Sequence, residues 1–214
     1  MKRYWLSLQF GYTVGCVTIP SVAADLPQWL TDRPTGSPRQ ALELARTRIV
    51  EGQRLDMSAL ADELGVSRTT LFRWVGSRNS LLVEVFWSMA EPALHAAVAS
   101  ASGSGGARIA AVVGHYLRGA VNTPSLARQL AAEPQNTLQL LTGSGSAVQR
   151  RTIAVVADLL EQEIAAGTLE PPLPVPDLAY LVVRIGESFL YTPHITGDPP
   201  DPEKAQAAIA ALLR

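Results

Sequence analysis

Residues 56–78 read DMSALADELGVSRTTLFRWVGSR. The stretch divides at Leu64-Gly65-Val66 into two short helical patterns. Leu60 and Leu64 fall one helical turn apart and give the first piece an apolar face. Asp56 or Ser58 can cap its start. Ser67 can cap the second piece, because a hydroxyl at that position accepts a bond from a free backbone N–H of the first turn. Gly65 can take the positive φ that ends one helix and redirects the chain. Val66 and Leu71 turn inward against the first helix, which leaves Arg68, Thr69, Thr70 and Arg73 as an outward row of donors. Two short helices joined by a tight turn, with donors on the second, have the shape of a helix-turn-helix. The second helix of such a unit enters the DNA major groove.

The same stretch resembles the TetR family of one-component regulators. The resemblance lies in Leu60-Ala61, Gly65-Val66-Ser67, Thr70-Leu71-Phe72, Trp74-Val75, Arg78 and Leu81. The family pattern usually has Tyr, His, Phe and Lys where this chain has Phe72, Trp74, Val75 and Arg78. Phe72 cannot donate to a phosphate, Trp74 can donate only through its indole N–H, and Arg78 keeps the positive charge. The resemblance implies a DNA-contacting set of Ser58, Ser67, Arg68, Thr69, Thr70, Phe72, Arg73, Trp74 and Arg78. Arg68, Thr69 and Thr70 would reach base edges, and Phe72, Trp74 and Arg78 would fix the backbone. Arg78 is expected at a helix start, where free N–H groups and the helix dipole favour an anion such as a DNA phosphate.

Charge is distributed in keeping with this. The whole chain has a formal net charge of −1. Residues 31–80 hold 8 Arg against 6 Asp and Glu, a balance of +2, whereas residues 81–214 hold 8 Lys and Arg against 12 Asp and Glu, a balance of −4. Any nucleic-acid role therefore belongs to the N-terminal third. A single cysteine, Cys16, excludes an intrachain disulfide and a cysteine-based metal cluster. No uninterrupted run of about 18 apolar residues marks a membrane span. Lys2 and Arg3 precede a weakly apolar stretch that ends in Val22-Ala23-Ala24, which loosely fits a secretory signal. Residues 1–30 are thus expected to be an N-terminal extension, disordered or upstream of the true start. The alternative is a secreted or periplasmic helical binding protein with residues 1–24 as its signal.

Around this stretch the chain reads as all-helical. Residues 31–80 form a three-helix head and residues 81–214 a regulatory and dimerisation body. Pro27 and Pro34 break the approach segment, in which Trp29 and Leu30 could pack back on the bundle. Ser37 and Pro38 start a helix that carries Leu42, Ala45 and Ile49 on one face. A long helix from about residue 79 to 100 joins head to body, with a kink expected at Pro92. Residues 102–106, SGSGG, read as a flexible link. Further helices follow over about 107–121, 124–133, 134–141, 146–166 and 177–192, then from about 202 to the end. Ile153, Val156, Leu160 and Ile164 form one stripe, and Leu178, Leu181, Val182, Ile185 and Phe189 another. Val155, Leu159 and Ala166 extend the first stripe, and Tyr180, Val183 and Leu190 the second. Helices apolar on more than one side call for cover on more than one side. A four-helix interface with a second copy is expected from helices 146–166 and 177–192.

Residues 186–198, GESFLYTPHITGD, resemble the C-terminal domain of the QsdR-type subgroup of TetR regulators. Residues 33–41, RPTGSPRQA, and 73–78, RWVGSR, support the same subgroup. The resemblance implies a cytoplasmic repressor, released from its operator by a small apolar effector and linked to quorum-signal lactone degradation. No catalytic arrangement stands out. His95, His115 and His194 lie on separate elements without a ligand-spaced partner, and neither Gly-rich stretch has the context of a phosphate loop or a nucleophile elbow. No enzyme activity, cofactor or metal is expected. His115, Tyr116, Arg118 and Phe189 are the candidate effector-pocket residues, with a buried structural position as the other reading of His115. Glu161 and Glu163 are expected to face solvent.

Overall fold

The structure is a computed structural model that describes residues 37–214. The expectations for the N-terminal extension, the signal alternative, and Trp29 and Leu30 lie outside the described residues. Among the described residues the chain is entirely helical. The head comprises α1 (Ser37–Val50), α2 (Met57–Glu63) and α3 (Arg68–Val75). Helix α4 (Arg78–Ser100) links it to the body. The body adds α5 (Gly105–Val121), α6 (Pro124–Ala132), α7 (Pro134–Thr142), α8 (Ala147–Ala165), α9 (Val175–Leu190), the single turn α10 (Thr192–Ile195) and α11 (Pro202–Leu212). Helix α4 passes through Pro92 without interruption.

Head and body are one packed unit. A continuous core runs from Ala41, Ile49, Leu60 and Leu71 in the head, through Leu81, Leu82, Val85 and Phe86 on α4, to Val148, Val155 and Leu159 on α8. Three helices of this size bury too little alone, and α4 supplies the missing surface. By length and composition α4 could cross a membrane, yet half of its apolar window is buried inside the protein, as befits a core helix. A second core joins α5, α8, α9 and α11 through Ile109, Leu160, Leu178, Val182 and Ile209.

Where α4 meets α8 the core holds a buried ion pair. Arg151 donates from both terminal guanidinium nitrogens to the two oxygens of Glu84, each at 2.9 Å. The Arg151 guanidinium also lies 5.6 Å from the Trp87 ring centre. A fork-to-fork pair satisfies both carboxylate oxygens and so limits the cost of removing the charges from water.

The structure overturns the reading of residues 102–106 as a flexible link. Gly105 and Gly106 form the buried first turn of α5. A Cβ on Gly106 would lie 2.2 Å from the Leu213 carbonyl oxygen, and one on Gly105 would lie 2.3 Å from that of Thr168. These glycines permit close approach rather than freedom. Glu163 is also not solvent-facing. It is 6 % exposed, and it accepts from the Gly105 N–H at 2.6 Å, from Arg108 at 2.5 Å and from the Thr168 hydroxyl at 2.6 Å. Burial pushes its carboxyl pKa up, but these bonds outweigh that and hold it below its ordinary value. The carboxylate thus answers one of the free N–H groups at the start of α5.

The two apolar stripes also divide differently from expectation. Val155, Leu159 and Val183 are buried inside the chain, whereas Leu181, expected inward, is exposed together with Tyr180.

Candidate nucleic-acid interface and ligand cavity

Two caps fix the head's geometry. Asp56 accepts from the N–H groups of Ser58 at 2.7 Å and Ala59 at 3.0 Å, which holds its carboxyl below the usual carboxylate range. Ser58 therefore sits in the first turn of α2, half-buried, and leaves the capping to Asp56. Gly65 turns the chain with a φ of +67°. Ser67 caps α3 by accepting from the Thr70 N–H at 3.1 Å, and its hydroxyl also meets the Thr70 hydroxyl at 2.9 Å. With Leu71 and Val75 buried, the 3.6-residue period places Arg68, Thr69, Phe72 and Arg73 on the exposed face. The Arg68 guanidinium stands 6.0 Å from the Phe72 ring centre, so the aromatic face steers the arginine. Thr70 and Trp74 are half-buried at the edge of this face. The sequence-predicted row is thereby assembled on one short helix.

Arg78 departs from expectation. Its Nε donates to the Leu55 carbonyl at 2.9 Å, and its two terminal nitrogens reach the Glu133 carboxylate at 3.0 and 2.7 Å. The guanidinium is committed to the body rather than presented to a phosphate. Glu133 in turn is held below its ordinary value, chiefly by the Arg78 hydrogen bonds, with burial opposing.

The body encloses a cavity of about 370 Å³ among α4, α5, α8 and α9, with α6 and α7 closing one side. Phe86, Met89, Leu117, Val155 and Leu159 are among its mostly apolar walls. Tyr116, Glu187 and Tyr191 add polar groups. Burial, then the Glu187 charge, pushes the Tyr116 phenol up to about 12, and Tyr191 is raised well above its usual value by the same causes. Burial raises the Glu187 carboxyl against the pull of Arg184, which donates to it at 2.6 Å. Both phenols are therefore neutral donors near neutral pH.

Of the four expected effector residues only Tyr116 lines the cavity. Arg118 points to α11, where it donates to Gln206 at 3.1 Å and pairs with Glu203 at 3.5 Å. His115 has its Nδ1 buried without a partner, and Phe189 lies half-buried outside the cavity lining. Sequence reasoning missed Glu187 and Tyr191. Their spacing of four on one helix was the available signal, but only the contact with α5 shows which face meets the cavity. Among the described residues no group of three or more His, Cys, Asp or Glu side chains is placed to hold a metal.

A capped helix-turn-helix head, packed through one helix onto an all-helical body with an internal cavity, defines a ligand-responsive class of DNA-binding regulator. The family described as "Tetracyclin repressor-like, C-terminal domain" matches residues 104–214. The solved structure of the transcriptional repressor QsdR of the TetR family from R. erythropolis is similar at 33 % identity and a TM-score of 0.77, over 82 % of this chain and 93 % of that one. A protein of unknown function from Rhodococcus sp. RHA1 shares the fold at 20 % identity and a TM-score of 0.52, over 84 % of this chain and 96 % of that one. No curated protein matches the chain. The chain belongs to the TetR family of transcriptional regulators.

Proposed function

We propose that this protein is a homodimeric, cytoplasmic transcriptional repressor that leaves its operator when a small, largely apolar effector enters the body. The observation that carries the reading is the exposed row on α3, built on two capped helices whose apolar faces are fully buried. Arg68, Thr69 and Thr70 read base edges in the major groove. Ser58, Ser67, Phe72, Arg73 and Trp74 position the backbone, and Arg78 joins them only when Glu133 releases it. The dimer forms through α8 and α9. Its best-supported surface is the outer face of α9, where Tyr180 is 49 % and Leu181 36 % exposed. Two heads about 34–36 Å apart can then occupy successive major grooves, and effector binding favours a spacing that no longer fits.

The cavity supports an effector with an apolar body and a group that accepts from Tyr116 or Tyr191. Its volume lies within the range of small-molecule sites. The QsdR resemblance extends the proposal to genes of quorum-signal lactone degradation, with a lactone signal as the effector. Nothing in the reading calls for an enzyme, a cofactor or a membrane.

Selection of bound duplexes from a random DNA pool by the full chain, followed by gel shifts with and without an acyl lactone, tests the reading. An enriched palindromic site is expected. A pool without enrichment would remove the DNA-binding proposal, and a site insensitive to lactones would remove the lactone link alone.

A further inference from the structure

Helix α6 has two ends with different duties. Thr123, just before it, and Leu126 line the cavity, as does Leu141 of α7. Farther along α6 the side chains reach the head. Arg128 donates to the Val50 carbonyl at 2.6 Å, at the carbonyl-rich end of α1 where a cation is favoured. Its Nε also crosses Gly52, whose φ is +79° and where a Cβ would lie 2.7 Å away. Glu133, the joint between α6 and α7, takes the bidentate grip of Arg78. It also receives Asn136 at 3.2 Å and pairs loosely with Arg54 at 3.8 Å. Because Arg78 simultaneously holds the Leu55 carbonyl, Glu133 grips the first residue of α4 and the α1–α2 loop together.

We infer that Arg128 and Glu133 are positioning residues forming a two-point clamp, through which α6 sets the angle of the DNA-reading head and passes the state of the cavity wall to it. The inference rests on the DNA-binding reading above. One contact alone would let the head pivot about it. Two contacts, one on the end of α1 and one on the start of α4, fix an axis. The cavity wall and both contacts share a helix of nine residues and its C-terminal joint, so displacement of Leu126 moves the clamp as a lever. Bidentate charge-assisted bonds are directional, which makes the clamp sensitive to such a displacement. In the clamped form Arg78 faces Glu133 and is withheld from DNA.

The test uses the full-length dimer with Glu133→Gln, Arg128→Gln and the double variant, and with Glu133→Asp and Arg128→Lys as conservative counterparts. Electron–electron resonance would measure the distance between spin labels at Arg46→Cys on α1 and Glu170→Cys on the body, in a Cys16→Ser background diluted with unlabelled chain. Both label sites are exposed. The double variant should at least double the width of the distance distribution while its melting curve stays cooperative, and the conservative pair should restore much of the narrow form. With a selected operator, the affinity penalty for inserting two base pairs between half-sites should shrink at least threefold in the double variant. A purely structural role would leave that spacing penalty unchanged. If Glu133→Gln fails to fold, Arg128→Gln, at an exposed side chain, carries the same two measurements. Unchanged width and unchanged spacing penalty in a folded variant would overturn the clamp. The label distance needs no DNA, so failure of the operator reading and failure of the clamp are separately visible.

Discussion

Replacing Arg151 by Met should destabilise the protein severely, through one identifiable group. Arg151 and Glu84 are 2 % and 3 % exposed and meet through two bonds of 2.9 Å. Methionine fills much of the arginine's volume, so the cavity contribution is small. What remains is a carboxylate in the core without its charge partner. Breaking a buried pair in this way costs about 3–5 kcal/mol. For a chain of this size 1 kcal/mol moves the melting temperature by about 2–4 °C, so the midpoint should fall by about 6–20 °C. The assay is thermal unfolding at one fixed chain concentration, because dimerisation makes the midpoint concentration-dependent. The decisive comparison is Glu84→Leu with Arg151→Met, which removes both charges and should recover most of the loss. A single variant that melts within about 3 °C of the parent would refute the reasoning. So would a double variant no more stable than the single one.

Other outcomes follow from the site and the faces of the body. Arg68→Ala should cost about 1–3 kcal/mol of operator affinity and relax the preference at the base pair it reads, measured by gel shifts against single-base variants. Arg73→Ala should weaken binding to all sequences alike and flatten the salt slope by about one unit in the same assay. Tyr180→Glu with Leu181→Glu should give a folded monomer by sedimentation, because these side chains are exposed on α9. Leu159→Glu should instead unfold the chain, because that residue is 2 % exposed in the core. Glu133 is held below its ordinary value of 4.5, so its ionised clamp contributes stability above that value and loses it as pH falls through the lower folded value. The head should therefore loosen in acid below about pH 4.5, read by the label distance, while Glu133→Gln should show no such step.

The head was legible because its determinants are local. Asp56, Gly65 and Ser67 act on N–H groups and dihedral angles a few residues away, and Leu71 fixes the inward side of α3 by period alone. The body was legible as helices but not as a packing. Periodicity shows that Leu159, Val183 and Leu181 belong to apolar stripes, yet it does not show whether α4, α5 or a second copy covers each one. Leu159 and Val183 went to the interior and Leu181 to the surface. Charged pairs were hidden for the same reason. Arg78 and Glu133 lie 55 residues apart, and Arg151 and Glu84 lie 67 apart, so no window of sequence contains either pair. The Gly105-Gly106 dipeptide misled because flexible links and close helix contacts use the same residue, and only the opposing Leu213 and Thr168 backbones tell them apart.

That contact also orders the life of the nascent chain. Contacts of α1–α3 with one another arise within residues 37–75, and the local turns can begin to form while later residues are still being made. The body cannot behave likewise. The first turn of α5, at Gly106, is seated against Leu213, at the far end of the body's sequence, and the Ile109 core includes Ile209 and Leu213. Until the final helix has left the ribosome, α5 shows its apolar side to water, and the surface that would receive α11 is open to any other apolar segment. Domains generally fold as units during synthesis, with the N-terminal portion first. A stall or premature stop before α11 would therefore release a chain with a DNA-reading head and an unsealed, aggregation-prone body.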